Sequence, residues 1–328
     1  MAIAIRNEEL NTIHYVMSMI EDSYIGIDYG KVIRARAHIP EFPLKRAYLI
    51  ISVSMNSPFN TMNKWKIVMN GVAITREYNP HMEKQFLNLI HSVFVYDVTT
   101  TIKEPRVELS ITYDGKERIK VDTATLLSIH SYEKIHTMIE GYVDIVPIDR
   151  ALQYHYSAPS TFDPNEGYLY AALSALRAGS ISILERSSNG DEHNYSALLN
   201  PGFNMIETKL KLLGDSDIVF QPTLSAVKHV YTLRVLTRAS YPKIEISKFS
   251  LEDSALTIGI RNSGESAADN VMVVALRLGT VLARAEIGTL RPGDEKLIEL
   301  KLAQRAKPSH IRIIWRKGSR LFTHDVKL

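Results

Sequence analysis

The chain has 328 residues, of which 45% are hydrophobic and 23% charged, and 39 lysines and arginines against 36 aspartates and glutamates leave a formal charge of +3. That balance excludes a disordered chain and supplies no strong field toward nucleic acid or anionic lipid, and the length calls for two or three domains. The chain contains no cysteine, which excludes disulfides, cysteine-ligated zinc, iron–sulfur clusters and thiol nucleophiles, and no stretch approaches the ~18 apolar residues that span a bilayer as a helix.

The opening segment, MAIAIRNEELNTIHYVMSMIEDSY, has no basic lead followed by an apolar core, because Arg6, Asn7, Glu8 and Glu9 interrupt it. The cytoplasm is therefore expected for the chain as written, or the cell surface if a leader has been removed. Leu10, Ile13, Val16, Met17 and Ile20 recur at three- and four-residue spacing behind Asn7 as N-cap, with Glu8 and Glu9 in the first turn. This spacing predicts an amphipathic helix, packed on its own domain or used for assembly with a partner or a second copy. Gly26, Gly30, Pro40 and Pro43 mark residues 24–46 as a connection or edge strand, so 1–46 reads as an N-terminal helix and its connection.

From residue 47 the runs AYLIISVSM, KWKIVMN, VAITREY, SVFVYDV, RVELSITY, ATLLSIHSY and IEGYVDIV are short, rich in Val, Ile, Tyr and Thr, and bounded by turn residues. They read as strands, and with no helical runs alternating between them the economical fold is an antiparallel sandwich over 47–156. Asn70-Gly71 between two apolar runs predicts a type I′ hairpin turn with positive φ at both positions. Asp97 and Thr99 are placed to bond the backbone where the chain re-enters the sheet.

The segment YHYSAPSTFDPNEG (154–167) reads as a linker into a second unit over 157–241. Its runs repeat the first unit in degenerate form: YLYAALSAL (168–176) answers AYLIISVSM (47–55), ISILERSSNG (181–190) answers WKIVMNG (65–71), and MIETKL (205–210) answers YDVTTT (96–101). Leu169, Leu173 and Leu176 also fit helical spacing, but the strand reading follows from the repeat. After Tyr241-Pro242, seven further strand-like runs separated by turns at Asn262-Ser-Gly, Arg291-Pro-Gly-Asp and Lys317-Gly-Ser fill 242–328, the size of an Ig-like sandwich.

In that last unit Asn262, Gly264, Asn270, Val271, Ile287, Gly288, Leu290, Pro292, Gly293 and Asp294 form an N-x-G turn, an N-V strand and an I-G-x-L-x-P-G-D turn. This arrangement resembles the Ig-like modules of archaeal and bacterial adhesion-related and surface-layer proteins. Asn70, Gly71, Tyr96, Asp97, Val98 and Thr99 give residues 47–241 a weaker likeness to galactose-binding-type jelly-roll domains, which implies sugar binding or a packing module. The fold expected is mainly β, two jelly-roll-like sandwiches followed by an Ig-like one.

No G-x-S-x-G, G-x-x-x-x-G-K-[ST], G-x-G-x-x-G or H-E-x-x-H is present, so the common hydrolase, P-loop, dinucleotide and zinc-protease signals are missing. His130 and His136 are the one histidine pair spaced closely enough to weigh as metal ligands, against ordinary surface histidines. Asp163, Asn165 and Glu166 in one loop and Asp191 and Glu192 in another carry the oxygen ligands that suit a structural calcium. Asn194-Tyr-Ser196 matches a glycosylation sequon. Arg312, Trp315, Arg316, Lys317 and Arg320 make a basic stripe with an aromatic, the ingredients of a nucleic-acid face or simply a solvated outer hairpin. The function expected is a non-enzymatic structural, adhesion or scaffold protein acting through a protein partner or self-assembly. A glycan binder using Asn70, Asp97 and Trp65 is the first alternative, and a nucleic-acid binder the second.

Overall fold

All regular secondary structure among the described residues is β-strand, apart from one three-residue 3-10 turn at Thr99–Thr101. The computed structural model describes residues 2–9, 11–60, 62–133, 135–149, 151–157, 164–223, 227–252, 255–302, 307–317 and 320–328. No helix among them is long and apolar enough to cross a membrane. The chain divides into two compact units, Met1–Arg238 and Ala239–Leu328.

The first unit begins with β1 (Ile3–Glu9), β2 (Thr12–Gly26), β3 (Val32–His38), β4 (Leu44–Met55), β5 (Lys64–Met69), β6 (Val72–Thr75), β7 (Met82–Phe86), β8 (Leu89–Asp97), β9 (Arg106–Asp114) and β10 (Arg118–Ser131). Strands β2-β10-β4-β8-β7 form one antiparallel sheet and β3-β9-β5-β6 another. Ile51, Val53, Trp65, Phe94, Leu109 and Ile111 fill the space between them.

The helix expected over the N-terminal segment is a strand. Ile13, Val16, Met17 and Ile20 lie on β2, which pairs with β10 along its length; Leu10 lies outside the described residues. The reason is that both faces of β2 are covered. Met17 and Ile20 pack on the first core, and Val16 packs on the apolar layer at the opposite face. A strand covered on both sides carries no period-2 signal, so apolar residues at mixed spacing imitate a helix.

The unit continues with β11 (Ile135–Ile148), β12 (Leu152–Tyr156), β13 (Glu166–Ala175), β14 (Gly179–Ser187), β15 (Glu192–Leu199), β16 (Gly202–Lys209), β17 (Ser216–Pro222) and β18 (Val227–Ala239). The sheets are β1-β11-β18-β13-β16 and β12-β17-β14-β15, closed over Tyr156, Leu169, Leu173, Ile183 and Phe220. The strand orders show the repeat: β11-β18-β13-β16 reproduces β2-β10-β4-β8, and β12-β17-β14-β15 reproduces β3-β9-β5-β6. The repeat thus starts at β2 and β11. Residues 12–38 supply strands of the first sandwich, and β11 and β12 belong to the second, as does β1, which pairs with β11.

The two sandwiches meet sheet against sheet. Ile50, Val93, Leu127 and Ile129 face Ile139, Val143, Tyr231 and Leu233, and Ile5 of β1 joins the same layer. The sheets that meet here are therefore buried on both faces, which accounts for the near-continuous burial of β4 and β10.

The second unit holds β19 (Ile244–Glu252), β20 (Ala255–Asn262), β21 (Ala268–Arg277), β22 (Thr280–Leu290), β23 (Glu295–Lys301), β24 (His310–Lys317) and β25 (Arg320–Lys327). They form sheets β19-β20-β23 and β22-β21-β24-β25 around Ile258, Ile260, Val273, Ile311 and Ile313. Buried Asn262 knits the loops at one end. Its amide donates to Ser266 O (2.8 Å) and Leu290 O (2.9 Å), and its Oδ1 accepts from Gly264 N (3.0 Å) and Lys243 N (3.2 Å). A Cβ on Gly264 would lie 2.2 Å from Lys243 N, so the glycine of the N-x-G turn is a packing requirement.

Candidate functional site

The apolar layer between the two sandwiches is interrupted at one end by charge. Along β4 the side chains on the layer's face run Ile50, Ser52, Ser54, and on β8 His91 follows Val93. On β10 an irregularity opposite β4 leaves Asp122 as an extra residue between Val121 and Thr123. A bulge of this kind re-aims a side chain, and Asp122 points into the layer. Lys228 reaches it from β18 of the other sandwich.

The contacts are short and convergent. Lys228 Nζ lies 2.6 Å from Asp122 Oδ2 and donates also toward Ser54 Oγ (3.1 Å) and Ser52 Oγ (3.3 Å). Ser54 donates to Asp122 Oδ2 at 2.7 Å, and its hydroxyl is 2.8 Å from His91 Nδ1. Lys228 is 4% exposed and Asp122 2%. Burial alone would drive the Asp122 carboxyl up, but Lys228, the Ser54 hydroxyl and Lys120 together hold it below its usual range. Burial draws the Lys228 ammonium down, opposed chiefly by Asp122. Burial and the neighbouring Lys228 charge lower His91 to about 4, so its imidazole is neutral at physiological pH. The cluster is a charged pair wrapped in neutral hydroxyl and imidazole groups, with the ammonium bonded directly to its carboxylate.

From this floor a cleft of about 210 Å³ opens between the sandwiches, lined by Tyr24, Ser54, Met55, Asn56, Leu87, Leu89, His91, Arg118, Lys120, Asp122, Ser174, Ala175, Leu176 and Lys228. Lys120 bonds Asp22 (2.5 Å) and approaches Asp122 (3.7 Å). Asp22 in turn accepts from Phe203 N (2.6 Å) on β16. A Cβ at Gly202 (φ 99°) would sit 2.1 Å from Asp22 Oδ2, so the residue before Phe203 is glycine. Arg118 lies over Tyr24 and Tyr29, 5.0 and 5.8 Å from their centroids.

Arg234 and Glu185, also buried in this unit, are bonded mainly to backbone, and Arg234 pairs in addition with Glu140 at 3.7 Å. Arg234 donates to Gly214 O (2.7 Å), to Ser157 O and to Ser216 Oγ (3.2 Å), with Tyr156 beneath its guanidinium at 5.1 Å. Glu185 accepts from Lys211 N and Leu212 N, each at 3.0 Å. Neither borders the cleft.

The residues singled out by sequence fall elsewhere. Asn70 (φ 48°) and Gly71 (φ 80°) form the expected left-handed pair, and the Asn70 side chain ties the hairpin to Glu108 N (2.8 Å) and Thr101 O (3.0 Å). Asp97 accepts from Thr99 N (3.0 Å), and Thr99 accepts from Ala47 N (2.9 Å). Trp65 is 2% exposed and stacks on Phe94, which places it in the first core and not on a ligand surface. His130 is bound to Phe42 O and Ser128 Oγ, each at 2.9 Å, and His136 accepts from Asn11 N (3.1 Å).

Of the calcium candidates, Asp163 lies outside the described residues. Glu166 pairs with Lys209 (3.5 Å) and Asn165 N bonds Thr237 O (3.0 Å), whereas Glu192 pairs with Arg186 (2.7 Å) and Asp191 N bonds Ser187 Oγ (3.1 Å). The two loops serve different sheets, and among the described residues no group of three or more His, Asp or Glu is placed to hold a metal. In the basic stripe Arg312 is held in a two-pronged ion pair by Asp325, both contacts 2.7 Å. Trp315 is buried against Phe322, so it offers no exposed stacking face. Arg316 is exposed on β24; the side chains of Lys317 and Arg320 lie outside the described residues.

The cleft residues went unmarked because no motif announces them. The available signal was a charge inside an apolar strand, Asp122 in IKVDTATLLSI and Lys228 in VKHVYTLRVL, since charges are rarely buried unless paired.

No protein-family model matches the chain, and no curated protein matches it. Solved structures that align with it include the β-glucuronidase of Ruminococcus gnavus, 10% identical, covering 58% of this chain and 34% of that one with a TM-score of 0.22. The same organism's enzyme in complex with N1-substituted uronic isofagomine is 11% identical over 58% and 36% of the two chains, TM-score 0.21. The chain thus matches about a third of the length of those enzymes.

Proposed function

We propose that this protein is a non-enzymatic binding scaffold in which two fused β-sandwiches hold a small ligand in the cleft between them. The observation that carries the reading is the cleft's construction: its walls come from β2, β4, β8 and β10 of one sandwich and β13 and β18 of the other, and its floor is a paired lysine and aspartate. Binding residues gain precision when they stand on strands and not on loops, and here the strands belong to a shared double layer. The chemistry of the floor supports binding over catalysis. Ser54 donates its one proton to Asp122 Oδ2 at 2.7 Å, and the imidazole beside it is lowered to about 4 by burial and the Lys228 charge and so is a weak base. Lys228 is held as an ammonium by Asp122, which leaves a serine nucleophile poorly activated.

The test uses the full chain labelled at leucine methyl groups and a chemically diverse set of small molecules. The Leu87 and Leu176 methyls, which border the cleft, are expected to shift saturably with some members and none is expected to be turned over. Turnover of a bound compound that disappears in Ser54→Ala would overturn the reading in favour of an enzyme.

A further inference from the structure

Resting on that reading, we infer that the cleft takes a small organic acid: one carboxylate or similar monoanion carried on a compact apolar body. Three observations converge on this class.

The first is charge. Arg118, Lys120 and Lys228 line the cleft against Asp122, the one lining carboxylate among the described residues. Lys228 is taken by Asp122, and Lys120 by Asp22. Arg118 has no carboxylate within ion-pair distance among the described residues. Its guanidinium is nonetheless held in place, stacked over Tyr24 and Tyr29 and 3.4 Å from the Tyr29 hydroxyl. A stacked guanidinium keeps its N–H edge for a planar two-oxygen acceptor, the geometry that carboxylates and phosphates supply. A cationic ligand would be repelled at the same place.

The second is the rim. Leu176 is 57% exposed and Leu87 44%, and both border the cleft together with Leu89 and Met55. Leu87 and Asn88 form the two-residue turn between β7 and β8 with φ of 53° and 60°. Such turns favour Asn and Gly, and a leucine with positive φ is strained. Strain of this kind persists where the surrounding structure imposes it and gathers at ligand sites. Here it keeps a large apolar side chain at the mouth.

The third is size. About 210 Å³ is below the roughly 300–1,000 Å³ of pockets for drug-sized ligands, which suits one small molecule.

The experiment titrates the full chain with 4-methylpentanoate, 4-methylpentanamide, 4-methylpentylamine and inorganic phosphate, reading the methyl signals of Leu87 and Leu176 at low salt. The acid is expected to bind saturably, the amide about tenfold more weakly, and the amine not at all. Arg118→Gln is expected to remove that tenfold preference without changing amide binding, and Leu176→Ser to weaken acid and amide alike. Amide binding equal to acid, or a preference that survives Arg118→Gln, would overturn the anion assignment while leaving the cleft a ligand site. Phosphate binding as tightly as the acid would overturn the apolar body. If neither these probes nor the diverse set moves a cleft signal at millimolar concentration, the binding reading fails with it.

Discussion

At the scale of single residues, the ammonium of Lys228 and the carboxylate of Asp122 stand 2.6 Å apart with almost no exposure, and removing either leaves the other charged and unpaired in the layer. Breaking such a pair costs about 3–5 kcal/mol, whereas replacing both with apolar groups of similar volume is often neutral. Lys228→Met is therefore expected to lower unfolding free energy by about that amount, and Lys228→Met combined with Asp122→Leu to recover most of it, measured by urea melts of the full chain. A single variant as stable as the parent would mean the pair is not buried as a pair. The same residues show why the site was hard to read. Trp65, Asn70 and Asp97 are conspicuous in sequence because turns and aromatics are, yet each is consumed locally in the core, the Glu108 and Thr101 backbone, or the Thr99 turn. Asp122 and Lys228 lie 106 positions apart, and only the packing of two sheets makes them neighbours.

At the scale of elements, the hairpin of β5 and β6 turns on a residue whose side chain does as much as its backbone. Asn70 adopts φ 48° and bridges the hairpin to Glu108 N and Thr101 O. Alanine there keeps the left-handed strain and loses both bonds, so Asn70→Ala is expected to destabilise by about 1–3 kcal/mol. Asn70→Asp retains the bond to Glu108 N and should cost less; equal losses in thermal melts would place the effect in the backbone alone. Turn chemistry of this kind made most elements legible. All seven strands expected in the last unit are present as β19–β25, and YLYAALSAL is a strand as the repeat required. The failure was β2, where Val16 faces one apolar layer and Met17 and Ile20 another. Its alternation is hidden because neither face is wet.

At the scale of the molecule, the repeat was visible in sequence but the fusion of its two copies was not, because the fusing layer is assembled from residues that look like ordinary core. Ile50, Val93 and Leu127 would be solvent-facing in a lone first sandwich, as would Val143, Tyr231 and Leu233 in a lone second. A patch of that apolarity is not sustained by a monomer in water, and separation would also strand Asp122 from Lys228. The fragments 12–131 and 135–238 are accordingly expected to aggregate or to form dimers when expressed singly, and to be recovered as one 1:1 complex when co-expressed. The fragment 239–328 has its own closed core around Ile258, Val273 and Ile313, and it is expected to fold alone with a dispersed amide spectrum and a cooperative melt. A monomeric, cooperatively folded 12–131 would show that the shared layer adds little. The cleft would then lie between two loosely associated modules, and its rigidity, on which selective binding of a small ligand depends, would have to come from the charged floor alone.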